Sequence, residues 1–491
     1  MKLSKLVQKL NYKLLAGSID VEISSVVYDS RKIKQGAVFV CIKGTVRAGQ
    51  DFIPEMMKNG AVAFVVERED IEIVDGFTYI LVENARIALA ELAAAYFDYP
   101  AEKLKKIGIT GTKGKTTTAY MVKAILDSAG IKTGLIGTIE CIVGEQHIPS
   151  VNTTPESYVI QENFRKMVDA GAEAVVMEVS SQALMMHRVA GFVFDIGVFT
   201  NLEPDHIGGY EHKDFDDYMQ CKSMLFQNCK LGIFNGDSPY LTGVMKGHTC
   251  KVETFGYGKS NDIRATKVQL LKKEGTLGVK YLVNSIENYE VEVNVPGSFT
   301  VYNSLAAIAI CNHFGVDTTK IKSALNNITI KGRVEILPVA KTYTLMIDYA
   351  HNAMSLESLL TTLRAYHPAH LICMFGCGGN RAKSRRYEMG EVSSRLADLT
   401  VVTSDNPRNE EPMDIINDII EGINITGGAY VVVPDRKEAI RYCMEHAKEG
   451  DIIVLAGKGH ENYQEVKGIK YLMDERELIA DIIKENPNIK L

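Results

Sequence analysis

Short apolar runs and amphipathic stretches alternate along most of the chain, and their order sets the first expectation of the fold. AVFVCI (37–42) and AVAFVVE (61–67) have the β-branched and aromatic content of buried strands, and TYILVE (78–83) repeats it. Between the first two, FIPEMMKN reads as a short helix capped by Asp51 and stopped at Gly60. An alanine-rich helix follows the third run as far as Tyr96, and Pro100 with the charged AEKLKK marks a boundary. Residues 1–99 are therefore expected to form a small α/β unit.

From Ile107 the alternation becomes regular. The strand IGIT (107–110) leads through a glycine-rich turn into a helix over 116–129, stopped by Gly130. Thr154 is expected to cap a helix with Pro155 at its first position and its end near Gly171. The strands AVVMEV (174–179) and IGVFTNL (196–202) follow. Alternating runs around Gly275 predict an antiparallel insertion over 262–296, ahead of the helix SLAAIAICNHFG. Beyond Gly332-Arg333 come TLMIDYA (344–350), LICMFG (371–376), LTVVTSD (399–405), YVVVP (430–434) and DIIVLAG (451–457), each followed by a helix-like segment. Strands alternating with helices predict parallel sheets. The expected fold is α/β with three domains: 1–99; 100–331, built on a P-loop-type mononucleotide-binding sheet; and 332–491, built on a Rossmann-like sheet. A length of 491 residues agrees with this at about 150 residues per domain.

Composition narrows the function. The chain is 46% apolar and 24% charged with a net charge of −6, which argues against a nucleic-acid or anionic-membrane binder. No apolar run reaches the ~18 residues of a membrane span. The opening MKLSKLVQKLNYKLL is amphipathic and basic, unlike a secretory signal. Nine cysteines are too sparse for a disulfide scaffold, and Cys373/Cys377 and Cys221/Cys229 have neither redox nor zinc spacing. Reduced thiols in a cytoplasmic protein are expected.

Candidate chemistry sits where strands end. GTKGKTTT (111–118) lies between a strand and a helix, so backbone amides can cradle phosphates, Lys115 can neutralise them and Thr116 can hold Mg²⁺. The common phosphate-loop pattern would put its first glycine at Ile109, whereas the glycines are at 108 and 111. The bland alternative is a β-to-α turn with an exposed lysine. Glu178 closes AVVMEV and Asp205-His206 follow IGVFTNL, and a carboxylate with an imidazole beside phosphates suits Mg²⁺. Taken singly, each reads as an ordinary loop or cap residue. GCGGNR (376–381), SDNPRNEEP (404–412) and GKGHE (457–461) suit an anionic ligand, although DNPR alone is ordinary turn chemistry. Met185 and Met186 read as core filler, EREDIEIVD (67–75) as a solvated face and Lys222 as an exposed lysine.

Ten blocks occur in one order: VYDSR (27–31), GTKGKTTT, NTTPES (152–157), MEVSSQAL (177–184), HRV (187–189), FTNLEPDH (199–206), DYAH (348–351), GCGGNR, DNPR (405–408) and GKGHE. Together they resemble the Mur ligase family, ATP-dependent amide-forming enzymes of peptidoglycan synthesis, over essentially the whole chain. The branch most resembled adds a third residue to UDP-MurNAc-L-Ala-D-Glu. The resemblance implies that Ser30 serves the UDP-sugar and that Gly111, Thr112, Lys113, Gly114, Lys115, Thr116 and Thr117 bind ATP, with Asn303, Arg333 and Asp348 as further nucleotide contacts. It implies Thr153, Thr154, Ser180 and Arg188 for the muramoyl-dipeptide, and Thr116, Glu178, His206 and Lys222 (as a carbamate) for Mg²⁺. Lys115, Glu178, His206 and Lys222 would carry the catalysis. Arg386, Asp405, Asn406, Arg408, Gly457 and Glu461 would form the amino-acid pocket, with the DNPR arginine favouring meso-diaminopimelate through its distal carboxylate. An acyl phosphate, formed from ATP and then attacked by the amine, is the implied route, with closure of the C-terminal domain to exclude water. No nucleic-acid partner is implied, and a monomer is the default.

Five positions at three sites depart from the family's usual pattern: Asn352-Ala353-Met354 in place of Thr-Pro-Asp, Thr300 in place of asparagine, and Met186 in place of glutamine. Three other readings stand beside the diaminopimelate ligase: the same ligation with L-lysine or another diamino acid, a non-catalytic paralogue that binds UDP-muramoyl-peptide, and folate polyglutamylation. Intact Lys115, Thr116, Glu178, His206 and Lys222 weigh against the paralogue, and VYDSR with DNPR against the folate reaction.

Overall fold

The computed structural model describes residues 1–44, 47–204, 207–208, 211–273, 275–486 and 489. The chain divides into two compact units, Met1–Asp262 with Ala306–Asp317, and Ile263–Leu305 with Thr318–Leu491.

The first unit holds two sheets. In the N-terminal one the strands run in the order Lys13–Ala16, Thr78–Leu81, Ala61–Val66, Ala37–Val40, Ser25–Val27, parallel except for the first. Both faces of its central strands are buried, which is why they read as continuous apolar runs. Helix Ala85–Tyr96 covers one face with Leu89 and Leu92, and Met56 packs with Phe39, Phe64 and Tyr79 on the other. Asn84 caps that helix by accepting from the amides of Arg86 and Ile87. Asp51 does not cap the next helix as expected. It lies inside a 3₁₀ turn, Gly49–Phe52, and its carboxylate accepts from the Ala48 amide, while the α-helix starts afterwards at Ile53.

The second sheet of this unit is ordered Lys251–Gly256, Cys229–Asn235, Phe194–Phe199, Lys105–Thr110, Ala174–Glu178, Thr133–Ile136, Glu140–Val143, Gln146–Pro149. The first six are parallel and the last two antiparallel. Chain order reverses across Lys105–Thr110, so a crevice opens at the strand C-termini, where such sheets bind ligands. Register places Glu178 opposite Ile109 and Phe199 opposite Thr110, bringing both neighbouring strand ends beside the glycine turn.

In the second unit the antiparallel insertion is a meander of Ile263–Lys273, Thr276–Asn284 and Tyr289–Val293, turning at Gly275. The other sheet is ordered Glu335–Leu337, Thr344–Asp348, Ile452–Ala456, Leu371–Phe375, Leu399–Val402, Tyr430–Val432, with only the first strand antiparallel. Its five parallel strands are the five apolar runs of the sequence. Helix Ala353–Arg364 follows the first of them, capped by Asn352, whose side chain accepts from the Ser355 amide. The departure at 352 therefore supplies a strong helix cap.

Candidate active site

The glycine turn is held from the neighbouring strand. Gly114 has φ +84°, and the helix Lys115–Ser128 starts at the next residue. Gly111 allows no side chain, because a Cβ there would lie 2.0 Å from the Thr200 hydroxyl oxygen. Asn201 accepts from the Lys113 amide (2.8 Å) and donates to its carbonyl (3.0 Å), to which the Thr200 hydroxyl also donates at 2.7 Å. Thr200 and Asn201 belong to a recognised block, but nothing in the sequence marked them as the brace of the loop. The Lys115 ammonium folds back over the turn, 2.8 Å from the Gly111 oxygen and 3.1 Å from that of Thr112. A positive charge above a helix N-terminus is a ready anion cradle. Lys113 pairs with Glu203 at 2.7 Å, the Thr112 hydroxyl meets the Tyr218 hydroxyl at 3.1 Å, and Thr117 is buried in the first helical turn.

Glu178 is the centre of the arrangement. Its Oε2 accepts from the Thr116 hydroxyl at 2.9 Å and the Thr138 hydroxyl at 3.0 Å, and its Oε1 from the Thr138 amide at 2.8 Å. Gly137 makes the approach possible, since a Cβ there would lie 2.5 Å from Oε1. The Thr138 hydroxyl also meets that of Thr153 at 3.1 Å, and Thr154 donates to the Glu178 carbonyl at 2.8 Å. This bond explains why Thr154 is not a helix cap: its hydroxyl is engaged elsewhere, and the helix begins two residues later than Pro155, at Ser157. Sequence reasoning missed Gly137 and Thr138; their only signal is a Gly-Thr pair just after the strand Thr133–Ile136.

Lys222 is not an exposed lysine. Only 1% of it is accessible; its ammonium donates to the Gly111 carbonyl at 3.0 Å and lies 4.4 Å from the Tyr218 ring centre. The hydroxyl of Thr116 and the carboxylate of Glu178 are hard oxygen donors already in mutual contact, which suits Mg²⁺. Asp205 and His206 lie outside the described residues. Among those described, His212, Asp217 and Cys221 also bring donor atoms within 4.8 Å of one another. Both ring nitrogens of His212 are already engaged, by Asp217 at 3.0 Å and by Ser181 at 2.9 Å.

The residues expected for the muramoyl-dipeptide gather beside Glu178. Ser180 caps the helix Ser181–Met185, and its amide donates to Thr154. Arg188 donates to the Glu156 carboxylate at 2.9 Å and the Thr154 carbonyl at 3.0 Å, and Arg86 reaches the same carboxylate. Ser30 stands apart, in a cleft of about 280 Å³ that it lines with Tyr28, Asp29, Arg31, Arg47 and Phe52 among others.

In the second unit, Asp348 ends its strand with both carboxylate oxygens bonded, to the amides of Val334 and Ala350 at 2.8 Å each. Burial pushes its carboxyl above the usual range, against the pull of Arg333 and the two amides. Val334 is held at φ +44°, a costly conformation for a β-branched residue. The Arg333 guanidinium stacks on Tyr349, and its buried Nε has no partner among the described residues. Asn303 is buried in helix Ser298–Asn312.

Around DNPR, Asn406 donates to Glu461 at 3.0 Å, and Lys458 bridges both residues. Asp405 accepts from the Asn406 amide at 2.6 Å, and a Cβ on Gly457 would lie 3.0 Å from its carboxylate. Arg408, at φ +53°, donates to the Gly379 carbonyl at 2.7 Å and to Glu465 at 3.3 Å. Its side chain is 24% exposed. Arg386 is 1% exposed and committed to Asp418 and Glu410 at 2.7 Å each, so its guanidinium braces the pocket wall instead of lining an open surface.

Known proteins agree with this layout. Residues 22–97 match the Mur ligase family catalytic domain, 109–311 the Mur ligase middle domain, and 332–459 the Mur ligase glutamate ligase domain. The UDP-N-acetylmuramoyl-L-alanyl-D-glutamate–2,6-diaminopimelate ligase of Clostridium perfringens is 43% identical over 99% of this chain and 100% of its own. The enzyme of the same name from Caldanaerobacter subterraneus is 42% identical with the same coverage. A solved structure of a ligase of that name superposes with a TM-score of 0.72 at 26% identity, covering 99% of both chains. A phosphate loop braced by its neighbouring strand, a carboxylate at the switch point and matches along most of the sequence lead to one conclusion: the chain belongs to the Mur ligase family.

Proposed function

We propose that the chain is an ATP-dependent, ADP-forming ligase of peptidoglycan synthesis that joins 2,6-diaminopimelate to UDP-MurNAc-L-Ala-D-Glu through an acyl phosphate. One observation carries this reading. The Glu178 carboxylate takes hydrogen bonds from Thr116 of the phosphate loop and from Thr138, which touches Thr153. A phosphoryl donor on the loop and a carboxylate acceptor on the threonine side would thus meet at one strand end. Phosphoryl transfer runs on such positioning and on charge neutralisation.

In this reading Gly111–Thr117 hold the phosphates, and the Lys115 ammonium would move from the turn carbonyls onto the anion. Thr153, Thr154, Ser180 and Arg188 orient the dipeptide, and Ser30 in its cleft serves the UDP end. Thr116, Glu178, His206 and Lys222 as a carbamate would hold Mg²⁺, which when bound offsets the charge of the phosphate oxygens. In the second unit Asn303, Arg333 and Asp348 would contact the nucleotide. Asp405, Asn406, Arg408, Gly457 and Glu461 would take the amino acid, with Arg386 bracing Glu410. The division 1–99, 100–331 and 332–491 assigns UDP-sugar, ATP and amino acid to successive segments. Substrates of this kind place the enzyme in the cytoplasm; no helix among the described residues is long and apolar enough to cross a membrane.

Mass spectrometry of the product from UDP-MurNAc-L-Ala-D-Glu, ATP, Mg²⁺ and either diaminopimelate or lysine tests this. A tripeptide product with diaminopimelate and stoichiometric ADP is expected. A lysine product would move the assignment to another amino acid, and binding without ADP release would mark a non-catalytic paralogue.

A further inference from the structure

His212 is 2% exposed, and the ligase reading gives it no task. Its Nδ1 lies 3.0 Å from the Asp217 carboxylate and its Nε2 lies 2.9 Å from the Ser181 hydroxyl. A carboxylate can only accept, so Nδ1–H donates to Asp217, and in the neutral ring Nε2 accepts from Ser181. The two partners sit on different elements. Ser181 opens the short helix capped by Ser180, the turn that also bonds Thr154. Asp217 belongs to helix Phe215–Ser223, which carries Lys222. On that same helix Tyr218 faces the His212 ring at 5.1 Å, bonds Thr112 of the phosphate loop and carries the Lys222 ammonium on its ring.

We infer that His212 is a positioning residue: it fixes the acceptor-binding turn, through Ser181, to the helix that carries Lys222 and faces the phosphate loop. The inference rests on the ligase reading. A bland buried histidine would need only to be satisfied, by any two groups. Here the two groups come from the acceptor side and the phosphate side, and the ring joins them. Misplacing reacting groups by about 1 Å can cost ~10²-fold in rate, so a rigid tie between the two sides has a catalytic consequence.

The test compares His212→Phe, which keeps a ring against Tyr218 but bonds neither partner, with His212→Gln, whose amide oxygen can still accept from Ser181, and with Ser181→Ala. Initial rates are measured with UDP-MurNAc-L-Ala-D-Glu and ATP varied separately. His212→Phe and Ser181→Ala should each raise KM for the dipeptide substrate about tenfold, the equivalent of one neutral hydrogen bond. KM for ATP should move less than threefold, and His212→Gln should recover most of the loss. The double variant His212→Phe/Ser181→Ala should be no worse than either alone, because both cut the same tie. Should His212→Phe fail to fold, Ser181→Ala alone decides through its KM split. Equal changes in both KM values, unchanged kinetics in Ser181→Ala, or additive losses in the double variant would overturn the inference while leaving the ligase standing. A wild type that releases no ADP with its substrates removes the ligase reading itself, and this inference with it.

Discussion

The Lys222 ammonium donates to the Gly111 carbonyl at 3.0 Å although the two residues are 111 apart in sequence. A buried lysine thus ends inside the phosphate loop, where a free ammonium repels a divalent cation and a carbamate attracts one. Lys222→Ala should lower kcat at least ~100-fold. Short carboxylates such as formate or acetate should restore part of it by occupying the vacated volume. Steady-state rates with and without added formate check this, and near-wild-type turnover would remove Lys222 from the mechanism.

Lys115 is expected to carry the largest single charge effect. Its ammonium already caps the turn carbonyls of Gly111 and Thr112. Lys115→Ala removes that preorganised charge and should lower kcat by 10²–10³-fold, about 3–4 kcal/mol of barrier. Turnover within tenfold of wild type would exclude the ATP-site assignment.

Asp195 gives the central sheet an acid-sensitive joint. It accepts from the Lys106 amide at 2.8 Å and pairs with Lys106 at 3.0 Å and Lys230 at 2.7 Å. Burial raises its carboxyl pKa, but these three contacts outweigh burial and hold it below the ordinary range. A carboxyl whose folded pKa is depressed stabilises the protein above its unfolded pKa, and that stability is lost as pH falls through the folded value. Asp195→Asn should therefore cost about 2 kcal/mol near neutrality, and the gap to wild type should begin to narrow below about pH 4. Urea midpoints at pH 7 and pH 3.5 measure it; a gap that does not narrow in acid would rule out the ionised pair as its source.

Arg408 is expected to set the amino-acid preference less sharply than DNPR alone suggests. A buried, unpaired guanidinium would reject lysine by ~10⁴-fold. Here the guanidinium is part-exposed and already bonded to Gly379 and Glu465, so lysine leaves it satisfied. The preference for diaminopimelate is expected nearer ~10²-fold. Arg408→Ala should raise KM for diaminopimelate and leave KM for ATP unchanged. Glu465→Gln should lower KM for diaminopimelate by freeing the arginine, and a raised KM would show that Glu465 helps bind the substrate.

The strands were legible because buried parallel strands are continuous apolar runs, and all five in the second unit's parallel sheet appear as such. The glycine turn was legible because it separates an apolar strand from a helix start, where Gly114 takes φ +84°. Local rules failed where a side chain is recruited from afar. Thr154 looks like a helix cap, yet its hydroxyl bonds the Glu178 carbonyl. Lys222 looks solvated because helix Phe215–Ser223 is polar along much of its length, yet it is buried and donates to the distant Gly111 carbonyl. Arg386, assigned to the amino-acid pocket by the family resemblance alone, is bonded to Glu410 and Asp418. In each case the partner is at least 24 residues distant, and no local pattern encodes the pairing.

Val334 and Asp348 have a mechanical consequence. The Val334 amide bond to Asp348 pins a β-branched residue in a left-handed conformation that costs ~1–2 kcal/mol. The carboxylate works as a latch on a tensioned turn. Each oxygen spends one lone pair on an amide and keeps another for an incoming ligand, so a bound group adds to the latch without releasing it. Neutralising the carboxylate, as in Asp348→Asn, weakens the catch, and the turn at 332–334 relaxes. A group bound at this strand end would therefore share one equilibrium with the backbone conformation of residues 332–334, and amide exchange at Val334 would report on both.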